Sequence, residues 1–324
     1  MKAGNLHVRL PPERRSLCRA ARAGLQDSAP RAALLSLHAR VSTVATSAWE
    51  DEAFVQLWGP RRAVYVVAEQ DRGVFSLGTL PRDPKARRAI EALAGRLRDG
   101  LAGRTMPAGE AARAAGELHP NQIKVAGATG TVLIRWDGAR EPSLWSTEPP
   151  PVDPHTARLE LARRYVHILG PGTPVGFARW AGITKADAAA TFDALATELL
   201  AVRTPGGDAW VLARDERDLR DPAIDPAGAR LLPSGDAYLL AEDRELLVAD
   251  DAHRRALWSP SNVQPGGLLV GGELVGTWRR GQRRVKVAPW RRLARAEREA
   301  VEAEAGSFPL PGLIGAIEVE WLLA

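Results

Sequence analysis

Cysteine is almost absent from this sequence. Cys18 stands alone, which excludes an internal disulfide and a metal site built from thiolates. The histidines His7, His38, His119, His155, His167 and His253 are scattered, with no pair at ligand spacing. Neither a metal nor a cofactor is expected. No apolar run approaches the ~18–20 uninterrupted residues that cross a bilayer. The stretch "MKAGNLHVRLPPERRS" lacks the apolar centre of a signal peptide. A cytoplasmic protein, monomeric and without membrane contact, is the expectation. Lysine is scarce too. Apart from Lys2, Lys85, Lys124, Lys185 and Lys286, every basic residue is an arginine, a bias that GC-rich coding explains as readily as function does.

With 45% hydrophobic and 26% charged residues, the chain has the composition of a folded globular protein. Its 324 residues allow two or three domains. The net charge of +5 says less than its distribution. From Lys2 to Arg40 the only acids are Glu13 and Asp27, and from Arg279 to Arg298 nine basic residues meet the single acid Glu297. Two such clusters suit one polyanion.

The order of elements reads as an α+β fold of three winged-helix units with a C-terminal β-meander and helix. In residues 1–100, "PPERRSLCRAARA" and "PRAALLSLHARV" are expected helices, with Pro30 in the first turn of the second and Leu34, Leu35 and Leu37 on one side. "AWEDEAFVQLW" is expected as a third helix, followed by a strand at "RAVYVVA". In residues 101–150 a helix at "PAGEAARAAGEL" precedes a hairpin around Asp137-Gly138. The linker "STEPPPVDP" closes that unit. In residues 151–215, helices at "TARLELARRYVHIL", "VGFARWAGI" and "TKADAAATFDALATEL", with Thr184 as N-cap, lead into a hairpin turning at Gly206-Gly207. The "TKADAAATFDAL" helix is poor in basic residues for reading DNA. In residues 216–324, "GLLVGGELVGTWRRGQRRVKVAPW" predicts a meander with turns at Gly271-Gly272 and Gly281-Gln282, ahead of a charged helix.

Two stretches carry candidate chemistry. Arg279, Arg280, Arg283, Arg284 and Lys286 flank one turn, so their charges converge on a loop tip. Such a ribbon suits a DNA groove, or else keeps a solvated hairpin soluble. The other stretch is Gln26-Asp27-Ser28, just before the second helix. Asp27 has the chemistry of a general base, Gln26 that of a group that orients water, and Ser28 that of either a water ligand or a helix cap. Spacing alone favours the cap.

The segments "GLQDSAPRAALLSLHARV", "LWGPRRAVYVV", "ARLELARRYVHILGPGTPVGFARWAGI", "LLPSGDAYLLAEDRELLV" and "LVGGELVGTWRR" together resemble the AlkZ-like (YcaQ-like) winged-helix DNA glycosylases. The resemblance covers nearly the whole chain. It implies three tandem winged helices forming a concave, basic surface for double-stranded DNA, with a β-hairpin that reaches into it. It also implies hydrolysis of the N-glycosidic bond of N7-alkylated purines, bulky antibiotic adducts included, and in some members self-resistance. The family's catalytic motif is Gln, a spacer, then Gln or Asp. Gln26 matches its first position, Ser28 departs from its third, and Asp27 is the spacer. Against the family's Trp-x-x-Arg-Gly-Thr-x-His stretch, Trp58 and Arg61 match, while Arg62, Ala63 and Tyr65 depart. Arg61 and Arg62 are thus expected at DNA, and Tyr65 either stacks on a base or sugar or fills the core. The competing readings are a silent DNA-binding protein, favoured by Ser28, and a protein-interaction scaffold.

Overall fold

The computed structural model describes residues 3–138, 140–221, 228–242, 244–259 and 264–322. Lys2, counted above with the N-terminal basic residues, lies outside them. The fold is α+β, and the strands of the described residues form three sheets. The largest uses β1 (Leu25–Gln26), β2 (Phe54–Trp58), β3 (Val64–Ala68), β4 (Met106–Pro107), β5 (Val132–Arg135) and β6 (Ser143–Ser146), in the spatial order β1-β3-β2-β5-β6-β4. Residues 1–100 and 101–150 therefore share one sheet, joined where Gln56 pairs with Ile134. The helix expected over "AWEDEAFVQLW" does not form. A short 3-10 turn, Ala48–Glu50, gives way to β2, which is paired along its whole length with β3. Phe54, Val55, Leu57 and Trp58 are aromatic, β-branched or large and apolar, and a slot between two strands suits them better than a helix.

Against this sheet lie α1 (Arg14–Ala20), α2 (Ala32–Arg40), α3 (Arg72–Leu77), α4 (Pro84–Leu101), α5 (Ala108–Ala114) and α6 (Pro120–Ile123). The α4 helix follows simple rules: Asp83 accepts from the Ala86 N–H, Pro84 occupies the first turn, and Leu93, Ala94, Leu97 and Leu101 form one buried stripe. The α2 helix does not. All nine of its residues are buried, so it has no solvent face. Leu34 and Leu37 pack with Leu25 and Val66, whereas Leu35 packs with Leu231 and Val285. The three leucines thus serve two cores, not one.

Helices α7 (Pro154–Leu169), α8 (Pro174–Ala181) and α9 (Lys185–Ala194) precede the two-stranded sheet of β7 (Leu199–Thr204) and β8 (Gly207–Leu212). Asp153, Thr173 and Thr184 cap the three helices, each accepting a backbone N–H. Thr204 pairs with Gly207, so the hairpin turns at Pro205-Gly206, one residue before the expected place. Tyr165, Phe177, Trp180 and Phe192 join Leu57, Tyr65 and Phe75 in one apolar core, which binds this unit to the first sheet.

The remaining elements are α10 (Glu216–Arg220), β9 (Ala229–Leu232), α11 (Arg244–Leu247), α12 (Asp251–Leu257), β10 (Gly266–Val270), β11 (Glu273–Arg280), β12 (Arg284–Pro289), α13 (Arg295–Gly306) and β13 (Glu318–Trp321). The strands form a sheet in the order β13-β12-β11-β10-β9. Val270 pairs with Glu273 across Gly271 and Gly272, whose φ angles of +55° and +85° suit a two-residue hairpin turn. The parallel pairing of β13 on β12 has no counterpart in the sequence reading. Among the described residues no helix is long and apolar enough to cross a membrane.

Candidate active site

β1 fixes the direction of the three polar side chains. Leu25 pairs with Val66 and Gln26 with Tyr65, and the Asp27 N–H donates to Val64 O at 2.8 Å. Extended backbone turns successive side chains to opposite faces. Gln26 is accordingly half-buried, Ser28 exposed, and Asp27 between them only 2% exposed.

Asp27 is the helix anchor. Its Oδ1 accepts the Ala33 N–H at 2.9 Å and its Oδ2 accepts Gln56 Nε2 at 3.0 Å. Burial pushes its carboxyl up to about 6; the hydrogen bond from Ala33, the charge of Arg31 and the bond from Gln56 act against that rise. The capping function foreseen for Ser28 thus falls to Asp27. A carboxylate with both oxygens engaged and almost no exposure is placed to hold the start of α2. Gln56, which sequence reasoning missed, also exchanges hydrogen bonds with the Trp136 backbone: its Oε1 accepts the Trp136 N–H at 2.7 Å, and its Nε2 donates to Trp136 O at 3.2 Å. A lone polar residue in the apolar strand FVQLW was the available signal.

The outward side is Gln26, Ser28 and Arg61. Arg61 Nη2 donates to Gln26 Oε1 at 2.7 Å, and Gln26 Nε2 donates to Ser28 Oγ at 3.2 Å. Arg61 thereby sets which way the carboxamide faces. One amide hydrogen and the Ser28 hydroxyl hydrogen remain free to engage a water or a sugar. Both Arg61 and its neighbour Arg62 are exposed, and both hold left-handed backbone, with φ of 55° and 59°. For a residue with a side chain that conformation costs roughly 1–2 kcal/mol, and such strain gathers at functional sites.

Tyr65 does not reach the surface. It is fully buried against Phe75, with ring centroids 6.1 Å apart. Its backbone pairs with Gln26 and its ring fills the apolar core, which is the core alternative. Gly235 lies against the Gln26 amide: its φ is +81°, and a Cβ there would stand 3.1 Å from Gln26 Nε2. The adjacent Asp236 is held in a buried bidentate pair by Arg40 at 2.7 and 2.8 Å and accepts Ser36 Oγ at 2.7 Å. The loop of "LLPSGDAYLL" is thus tied to α2. Among the described residues, no group of three or more His, Cys, Asp and Glu side chains is placed to hold a metal ion.

The basic hairpin belongs to a different sheet. Arg279, Arg283, Arg284 and Lys286 are exposed and Arg280 is half-buried. Arg284 and Lys286 each lie 3.6 Å from Glu320 of β13, so part of the expected positive charge is met within the protein. Hydrogen bonds bring Gln26, Ser28 and Arg61 together, and the five hairpin residues stand on or beside strands of another sheet.

A mixed α+β chain with a tethered glutamine–serine pair beside strained arginines defines a class of polar surface site rather than one protein. The family follows from comparison. The profile described as DNA glycosylase AlkZ-like matches residues 20–309, and the chain belongs to that family. Among solved structures, Streptomyces sahachiroi DNA glycosylase AlkZ is similar with a TM-score of 0.79 at 20% sequence identity, over 99% of this chain and 97% of that one. No curated protein matches.

Proposed function

We propose that this protein is a monofunctional DNA glycosylase that removes N7-alkylguanine from duplex DNA, with Gln26 and Ser28 holding the attacking water. The observation that carries this reading is the Gln26 carboxamide, fixed by Arg61 and directed to Ser28 on an exposed face. An N7-alkylguanine is cationic, so it leaves with the electrons of the glycosidic bond and becomes neutral without a general acid. Water then bonds to C1′ of the oxocarbenium-like sugar and loses its proton to solvent. A neutral amide and hydroxyl suffice to orient that water. Asp27 serves as a strut and not as the base.

The wider reading has three winged-helix units presenting a concave basic surface, with the Arg279–Lys286 hairpin probing DNA beside the lesion. The substrate class is bulky adducts, as left by DNA-alkylating antibiotics, and the role is repair or self-resistance in a bacterial cytoplasm by a monomer. The test is incubation with duplexes carrying defined N7-guanine adducts, followed by alkaline cleavage at abasic sites. Wild-type protein is expected to give strand breaks at the adduct. Gln26→Ala and Ser28→Ala are expected to slow excision by about 10²-fold or more, with unchanged melting temperature. Absence of cleavage at every adduct by the wild type favours the second reading, a silent DNA-binding protein, for which Ser28 in the motif's third position is the specific support.

A further inference from the structure

Two arginines beside the motif make no hydrogen bond to Gln26, Asp27 or Ser28, although the charge of Arg31 acts on the Asp27 carboxyl. Arg31 lies three residues after Ser28, and Arg135 precedes Trp136, whose backbone is bound by Gln56 and through it to Asp27. Both guanidinium groups stack on the same buried ring. Arg31 Cζ is 4.3 Å and Arg135 Cζ 5.0 Å from the centroid of Trp49, which is 4% exposed. The loop that follows Arg135 leans on the motif segment again at Gly138, where a Cβ would meet Pro30 at 2.9 Å.

Three features set this pair apart from ordinary surface arginines. Most arginines near the site are engaged: Arg40 with Asp236, Arg164 with Asp71, Arg179 with Glu242. Among the described residues no carboxylate lies within ion-pair distance of Arg31 or Arg135, and Arg31 Nη1 is buried without a hydrogen-bond acceptor. Asp27 feels the charge of Arg31, but its two oxygens are already occupied by Ala33 and Gln56. Arg31 also holds left-handed backbone with φ of 64°, as Arg61 and Arg62 do. Glycine or asparagine adopts that conformation with less strain, so the fold keeps a strained arginine where another residue would sit more easily. Two cations gathered on one aromatic ring repel each other unless an anion lies between or beside them. Contact with the ring holds each guanidinium in place and leaves the N–H groups of Arg135, and those of Arg31 other than the buried Nη1, for a planar or tetrahedral oxyanion.

We propose that Arg31 and Arg135, stacked on Trp49, form a phosphate clamp that grips the DNA backbone beside Gln26 and Ser28. The anion is the phosphodiester of the strand carrying the lesion. The clamp rests on the reading of Gln26 and Ser28 as a site on DNA, and its function is to set the sugar at the height of those two side chains.

The test uses the full-length protein and a short undamaged duplex, so that its readout does not depend on catalysis. Dissociation constants are measured across a salt series for the wild type and for Arg31→Asn with Arg135→Gln. Asparagine suits the left-handed backbone at position 31, and position 135 is exposed, so the fold is expected to stand. Each phosphate contact contributes about 0.9 to the slope of log K against log salt, so the double variant is expected to lose about 2 from that slope. Arg31→Lys with Arg135→Lys keeps the charge and loses the stacked planes; it is expected to retain the slope while excision of an adduct falls. An unchanged slope in the Asn/Gln variant overturns the clamp. A reduced slope in a protein whose wild type excises no adduct leaves the clamp standing and removes the glycosylase reading. No binding of any duplex by the wild type overturns both.

Discussion

At the scale of single residues, the motif is governed by the two-residue period of a very short strand. Gln26 and Ser28 were legible as candidates, but the assignment of Asp27 to the chemistry followed from its being the only carboxylate present. What the sequence hid was the partner, since Gln56 lies 29 residues away and takes hold of Asp27 only once β2 is seated. The consequence is measurable. The Asp27 carboxyl titrates at about 6 in the fold against 3.8 unfolded. Between those values the folded state holds a proton that the unfolded state has released, so stability falls as pH rises through that window, by on the order of 3 kcal/mol for this group. His38 acts the other way: burial lowers it from 6.5 to about 3, so its contribution is present above 6.5 and lost as pH falls. In the wild type the two slopes oppose each other. Asp27→Asn removes the first. Its stability, followed by urea denaturation at a series of pH values, is expected to climb more steeply with pH from about 4 to about 6 than that of the wild type. Parallel profiles would mean that the buried carboxyl does not titrate as described.

At the scale of elements, the regular pieces announced themselves through caps and turns. Thr184 caps α9, and Gly271-Gly272 turns the meander, as expected from local chemistry alone. The failures were of tertiary origin. The stretch around Phe54–Trp58 is a strand because β3 and β5 flank it, and β13 joins its sheet in parallel across a long connection. The α2 helix was read with Leu34, Leu35 and Leu37 on one side, and nothing local showed that Ser36, His38 and Arg40 are buried as well. Each is instead bonded to another element, and Arg40 holds Asp236 beside Gly235 and the Gln26 amide. Breaking a buried pair by removing one partner costs about 3–5 kcal/mol, so Asp236→Ala is expected to lose that much in denaturant titrations. Gly235→Ala is a finer probe. It strains a φ of +81° and crowds Gln26 Nε2, so excision is expected to fall by more than its modest loss of stability explains. Equal falls in stability and excision would deny the loop any influence on the amide.

At the scale of the whole molecule, the sequence's two arginine-rich ends were legible as surfaces, but their internal neutralisation was not. Glu320, far along the chain, reaches Arg284 and Lys286. Removing the exposed charges with Arg279→Ala, Arg283→Ala and Arg284→Ala is expected to weaken duplex binding by about tenfold or more at moderate salt, with little change in melting temperature. Wild-type affinity in that variant would favour a structural hairpin. The two ends also meet. Arg9 Nη2 donates to Glu304 Oε2 at 2.6 Å across 295 residues of sequence, while its Nε donates to His38 O at 2.8 Å. His38 in turn lies 3.0 Å from Ser307 Oγ, so α2 is clasped by the first and last parts of the described chain at once. During synthesis, therefore, the helix that orders the motif waits in an unfinished setting until α13 has left the ribosome. A nascent chain thus holds Gln26, Ser28 and Arg61 well before it holds the residues that clasp the helix behind them.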